Sequence, residues 1–199
     1  MNFGVRGFIG LGILAFVAGC AVAPATRGDG EPIRLGITLD EAPRVGRLAP
    51  EIVLPYATRD GVGPREQPFD LRKELGLVVV VSFCRLDTAE ECLTQWRTFR
   101  DQQAAIFGAG VVVVGVSADS LPALAQFAAG QELPFKFVSD PDRTLARRFG
   151  FINANGVVRH TVMVIGRDGR VRYIDGGFAA LESPSYNNVA GAVKAAKES

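Results

Sequence analysis

A chain of 199 residues with 48% hydrophobic content can bury the core of one domain of ordinary size, and it is too short to hold two full ones comfortably. Its 22 basic residues are nearly matched by 21 acidic ones, so it has none of the polybasic field that nucleic acid or an anionic membrane demands. Nucleic-acid binding is discounted on that ground.

The first twenty residues differ from the rest. Arg6 is their only charge, and Gly7 to Ala18 is an apolar run of about a dozen residues, where a bilayer span takes roughly 20. That length fits the h-region of a secretory signal. The run ends in Val17-Ala18-Gly19-Cys20, which resembles the bacterial lipobox. The resemblance implies cleavage after residue 19, lipidation of Cys20 and an extracytoplasmic protein anchored to a membrane, on the periplasmic side if the source is Gram-negative. The alternative is a buried apolar helix with an incidental cysteine. Residues 20–45 are rich in Ala, Pro, Gly and charge without sustained periodicity, so they read as a flexible tether. The folded domain is expected over residues 46–199.

Within that domain, short β-branched runs alternate with helical stretches. Leu77 to Phe83 is a continuous apolar strand, Glu90 to Phe107 is helical, and Val111 to Val116 is a second buried strand. Leu121 to Ala129 predicts a helix, Leu133-Pro134 a turn, Phe135 to Val138 a short extended segment and Arg143 to Phe149 a short helix. Thr161 to Ile165 and Val171 to Ile174 form a hairpin around Arg167-Asp168-Gly169. Pro184 to Lys197 predicts one amphipathic helix covering a sheet edge. The order implies an α/β fold, a mixed sheet with helices on both faces.

Several chemistries find no foothold. A single histidine rules out a His-x-x-x-His zinc helix, and no Gly-rich phosphate loop follows a strand. Gly115-Val116-Ser117-Ala118-Asp119 lacks the last glycine of a nucleophile elbow, so Ser117 reads as a loop residue.

The cysteines carry more. With Cys20 consumed by lipid, Cys84 and Cys92 remain, eight positions apart, in an oxidising compartment where two thiols suggest a pair. Spacing alone does not establish the geometry of a bridge. Cys92 falls in the first turn of the helix after the central strand, where unsatisfied backbone N–H groups favour a thiolate that can attack a peroxide oxygen or a disulfide sulfur. Cys84 ends a buried strand, where a cysteine is equally often a small hydrophobe. Trp96, one turn beyond Cys92, reads as core.

The segment Ser82-Phe83-Cys84-Arg85-Leu86-Asp87-Thr88-Ala89-Glu90-Glu91-Cys92 resembles the active-site segment of the peroxiredoxins, the alkyl hydroperoxide reductase and thiol-specific antioxidant family. The resemblance continues through Phe99-Arg100-Asp101, Val114 to Ser120, Pro134-Phe135, Ser139-Asp140-Pro141-Asp142 and Arg148-Phe149-Gly150, and upstream through Gly46 to Glu51. It implies a thioredoxin-like fold and a thiol peroxidase with no cofactor. Cys92 would reduce a peroxide, and Cys84 or an external thiol would resolve the sulfenic acid. A thioredoxin-like protein is the kind of thiol reductant implied.

This chain departs from the family pattern at the reacting centre. Arg85 stands at the motif proline and Ala89 at the motif threonine, with Thr88 one place early. Glu90 and Glu91 place negative charge beside the thiolate, opposing the helix terminus. The family's active-site arginine falls by count on His160, with Arg159 beside it, and either can supply positive charge. Three other functions fit parts of the pattern. They are an envelope thiol–disulfide oxidoreductase, a copper carrier using Cys84, Cys92 and His160, and a peroxiredoxin frame that has lost catalysis and serves as a tethered interaction domain.

Overall fold

The computed structural model describes Met1 and residues 42–86 and 90–199. The predicted signal, Cys20, most of the predicted tether, and the positions Thr88 and Ala89 lie outside the described residues. Residues 42–86 and 90–199 belong to one compact unit within Asp40–Ser199.

Its strands are β1 (Val53–Leu54), β2 (Tyr56–Thr58), β3 (Gly61–Val62), β4 (Phe69–Asp70), β5 (Val78–Phe83), β6 (Val111–Ser117), β7 (Lys136–Ser139), β8 (Thr161–Ile165) and β9 (Val171–Asp175). Its helices are α1 (Glu90–Asp101), α2 (Gln103–Ile106), α3 (Leu121–Gly130), α4 (Thr144–Arg148) and α5 (Ser183–Lys197). Seven strands form one sheet in the order β3-β2-β7-β6-β5-β8-β9, and β1 pairs with β4 separately. β5, β6 and β7 run parallel, whereas β8 returns antiparallel to β5 and β9 antiparallel to β8. The mixed sheet expected from the alternation is therefore present.

Every residue of β5 is buried, because both its edges are paired and both its faces covered. Strand periodicity then divides its side chains. Val78 and Val80 join Trp96, Phe99, Leu124, Val189 and Val193 on the face covered by α1, α3 and α5. Val79, Val81 and Phe83 join Phe149, Met163 and Ile165 on the face that α4 covers. The two layers need a strand apolar on both sides, and Val78-Val79-Val80-Val81 supplies it.

Three expectations require correction. The single helix over Glu90 to Phe107 is two, since Gln102 leaves helical geometry at φ −108°, ψ 20°. The change of direction lets Ile106 and Phe107 sink into the core, where the Phe107 ring meets Phe99 edge-on at 4.9 Å. The C-terminal helix covers more than the sheet edge; α5 lies on the sheet face over β5, β8 and the edge strand β9. Its stripe of Val189, Val193 and Ala196 is fully buried there. Strand β5 also begins one residue later than expected, because Leu77 is 38% exposed and stays outside the ladder.

Gly46 N–H donates to the Val171 carbonyl and Ala49 N–H to that of Gly169, which ties the chain to the hairpin from residue 46 onward. The turn of that hairpin uses Gly169 at φ +77°, a left-handed conformation that glycine adopts without steric cost.

Candidate active site

Cys84 is the first residue past β5, and its N–H still donates to the Val116 carbonyl of β6 at 3.4 Å. Its position is thereby set by the central ladder. Cys92 is the third residue of α1. The buried residues of that helix are Cys92, Gln95, Trp96 and Phe99, the i, i+3, i+4, i+7 pattern of a core-facing stripe. The stripe turns Cys92 inward, toward the end of β5.

The two cysteines meet as a disulfide, with Cα atoms 5.9 Å apart. That separation is within the range a disulfide accepts. The bond is sealed, with Cys84 5% and Cys92 1% exposed. Trp96 Nε1 donates to Cys84 Sγ at 3.2 Å. Glu90 and Glu91 are exposed in the first turn of α1, and Arg85 is exposed after Cys84.

A second buried polar group lies one turn along from Cys92. Gln95 is fully buried; its Nε2 donates to Ser82 Oγ on β5 at 2.8 Å, and its Oε1 lies 2.5 Å from His160 Nε2. These bonds fasten α1 to β5 and to the residue before β8. Burial pushes the His160 pKa below its ordinary 6.5, while the carboxylates of Glu91 and Asp175 oppose the shift. His160 also packs against Phe178 at 5.3 Å.

Arg159 is exposed, and its guanidinium donates to the Gly150 carbonyl at 2.6 Å, on the turn after α4. A small recess of about 10 Å³ lies at the carboxyl ends of β5 and β6, lined in part by Phe83, Cys84, Ser117, Asp140 and Val158. Asp140 is committed to capping, since its carboxylate accepts from the Leu145 and Ala146 N–H groups. Among the described residues no group of three or more His, Cys, Asp and Glu side chains is placed to hold a metal ion. Cys84, Cys92 and His160 thus do not form a ligand set here.

A model of the AhpC/TSA family matches residues 45–174, well over half of the chain. The chain belongs to the AhpC/TSA family. Among curated relatives of this AhpC/TSA member, a Coxiella burnetii protein named "Putative peroxiredoxin bcp" is 34% identical over 106 residues, which are 53% of this chain and 66% of the relative. The chain therefore spans just under two thirds of that relative's length. The crystal structure of peroxidoxin BcpB from Mycobacterium tuberculosis superposes with a TM-score of 0.65 at 22% identity, covering 78% of this chain and 99% of that one. That likeness carries the thioredoxin-like fold of the family. A Xanthomonas campestris bacterioferritin comigratory protein, described for its alkyl peroxide reduction activity, superposes with a TM-score of 0.58 at 25% identity, covering 72% and 92%.

Sequence reasoning placed Cys84 and Cys92 at a strand end and a helix start, and the fold joins them. It missed Gln95 and Ser82, and it read Trp96 as core alone. The spacing from Cys92 could have found both α1 residues, because positions three and four residues on share its helix face.

Proposed function

We propose that this chain is a thiol peroxidase in which Cys92 reduces the peroxide and Cys84 resolves it. The observation carrying the proposal is the Cys84–Cys92 disulfide, which joins the helix-start cysteine of the family-like segment to the end of the central strand. The family match and the activity described for the Xanthomonas campestris protein support it. The Cys92 thiolate attacks one peroxide oxygen, the O–O bond breaks, and the departing alkoxide or hydroxide takes up a proton. Cys92 is left as a sulfenic acid. Cys84 then displaces the sulfenic oxygen as water, and the disulfide forms. In sum two thiols and one alkyl hydroperoxide give a disulfide, an alcohol and water, and with hydrogen peroxide the second product is also water. An external dithiol restores the pair by exchange. In this reading Arg159 supplies positive charge for the incoming peroxide.

The experiment is a stopped-flow oxidation of the reduced full chain by hydrogen peroxide and by an alkyl hydroperoxide. Wild type should lose two thiols per peroxide. Cys84→Ser should stop at a sulfenic acid that dimedone traps on Cys92, and Cys92→Ser should react no faster than a free thiol. Equal rates in wild type and Cys92→Ser would remove the assignment.

We also propose that the protein is anchored through Cys20 on the outer side of a membrane, supported by the leader ending in Val17-Ala18-Gly19-Cys20. Fractionation of cells expressing wild type and Cys20→Ser should find only the first with the membranes. Equal release of both would sink this assignment.

A further inference from the structure

Cys84 Sγ receives two groups from one face of α1. Cys92, bonded to it, and Trp96, whose indole N–H points at it, are four residues apart, the spacing that places two side chains one above the other on a helix. Trp96 is fully buried, and an indole N–H can only donate. Here that donor is spent on a sulfur rather than on an oxygen. The ring has little freedom to turn elsewhere, because Phe99, Phe135 and Phe137 hold it at centroid distances of 5.8, 5.6 and 4.7 Å. Gly115 of β6 closes the other side, where even a Cβ would come within 2.8 Å of Trp96 Cζ2.

We propose that Trp96 is a catalytic residue of the resolving step, its indole N–H stabilising Cys84 as the thiolate that attacks Cys92. This rests on the reading of Cys84 as the resolving partner. Cys84 sits among apolar side chains at 5% exposure, and burial alone favours its neutral thiol. A hydrogen bond donated to the sulfur acts in the opposite sense, because it strengthens when the sulfur carries charge. The Cys84 thiolate attacks the Cys92 sulfenic sulfur, so that the S–S bond forms and the S–O bond breaks. The leaving oxygen takes up the proton that Cys84 gave up and departs as water. No further oxidant or reductant is consumed. One helix face thus delivers both the electrophilic sulfur and the group that readies its attacker.

Trp96 is the chain's only tryptophan, so its emission reports on this contact. The test uses the full chain carrying Cys20→Ser and Cys92→Ser, which leaves Cys84 as the one thiol. Iodoacetamide alkylation of Cys84 is followed against pH, alongside Trp96 emission. The emission should change with the same midpoint as the alkylation rate. Adding Trp96→Phe should slow alkylation about fivefold below the midpoint and move that midpoint upward. Replacing Trp96 by 3-benzothienylalanine, which keeps the ring shape without the N–H, should do the same and covers a Trp96→Phe chain that fails to fold. An unmoved midpoint in the benzothienyl protein, or an emission blind to Cys84 titration, would overturn the proposal. If peroxide fails to oxidise Cys92 while the Cys84 midpoint shifts as stated, the peroxidase reading falls and the donor contact stands. If Cys92 reacts and the midpoint does not move, the reverse holds.

Discussion

Gln95 Oε1 lies 2.5 Å from His160 Nε2, and with the amide oxygen on that side the ring donates from Nε2–H. The His160 pKa is lowered by burial, against the pull of Glu91 and Asp175. A histidine whose folded pKa lies below its unfolded value stabilises the fold above the unfolded pKa, and that contribution is lost as pH falls from there through the folded value. Urea unfolding between about pH 7.5 and 5.5 should therefore show wild type losing more stability than His160→Asn, which cannot titrate. Parallel slopes for the two proteins would mean that His160 contributes nothing to the dependence.

Reducing the disulfide should weaken the domain. The bridge joins residues eight apart in sequence. Chain-entropy arguments assign closure of so short a loop about 2.5 kcal/mol. Denaturant midpoints with and without dithiothreitol should differ by that order, and Cys84→Ala with Cys92→Ala should be insensitive to the reductant. A wild type equally stable in both states would show that the bridge is energetically silent.

Gly115 admits the indole that reaches Cys84. A Cβ there would meet Phe137 Cδ1 at 2.5 Å and Trp96 Cζ2 at 2.8 Å, and both belong to rings locked in the core. Gly115→Ala should cost about 1–3 kcal/mol by overpacking and shift the emission of Trp96. An unchanged melting temperature would mean that β6 can move aside at no cost.

Restoring the family pattern should raise peroxide reactivity. Ala89→Thr returns a hydroxyl able to bond the reacting oxygens, and one preorganised donor is worth roughly 10²–10³ in other enzymes. Glu90 and Glu91 still disfavour the thiolate, so the expected gain in the rate of Cys92 oxidation is about tenfold. Rates for wild type, Ala89→Thr and the double change with Arg85→Pro give the comparison. A fast wild type indifferent to both changes would assign the donor to other residues.

The parts of this fold that can be read from sequence are those whose signal is local. Val78 to Phe83 and Val111 to Ser117 are apolar runs too short for helices, and Arg167-Asp168-Gly169 carries its own turn chemistry. Strands β1 to β4 are two or three residues each; β3 is held by a tight hairpin that sets Thr58 opposite Gly61, but β2 joins the sheet through a partner far along the chain, as Ala57 pairs with Phe137. No window of sequence contains that pairing. The site divides in the same way. Helix-start chemistry marks Cys92, but a glutamine reads as surface, and only the fold reveals that Gln95 is enclosed with Ser82 and His160 to satisfy it. The break at Gln102 has no local signal because Gln103, Ala104 and Ala105 are good helix formers, and the burial of Ile106 and Phe107 decides the matter.

The central place of β5 has a consequence for how the two sulfurs can part. Its amides and carbonyls are engaged with β6 on one side and β8 on the other, so they should exchange with deuterium only when the whole domain opens. Cys84, bonded to the Val116 carbonyl at the end of that ladder, inherits much of the same slow clock. Cys92 sits within the first turn of a helix, where opening requires far fewer bonds to break. Any separation of the pair after reduction must then be a movement of the start of α1 away from a stationary strand, and amide protection should fall first in residues 90–94 while Val79 to Phe83 stay protected.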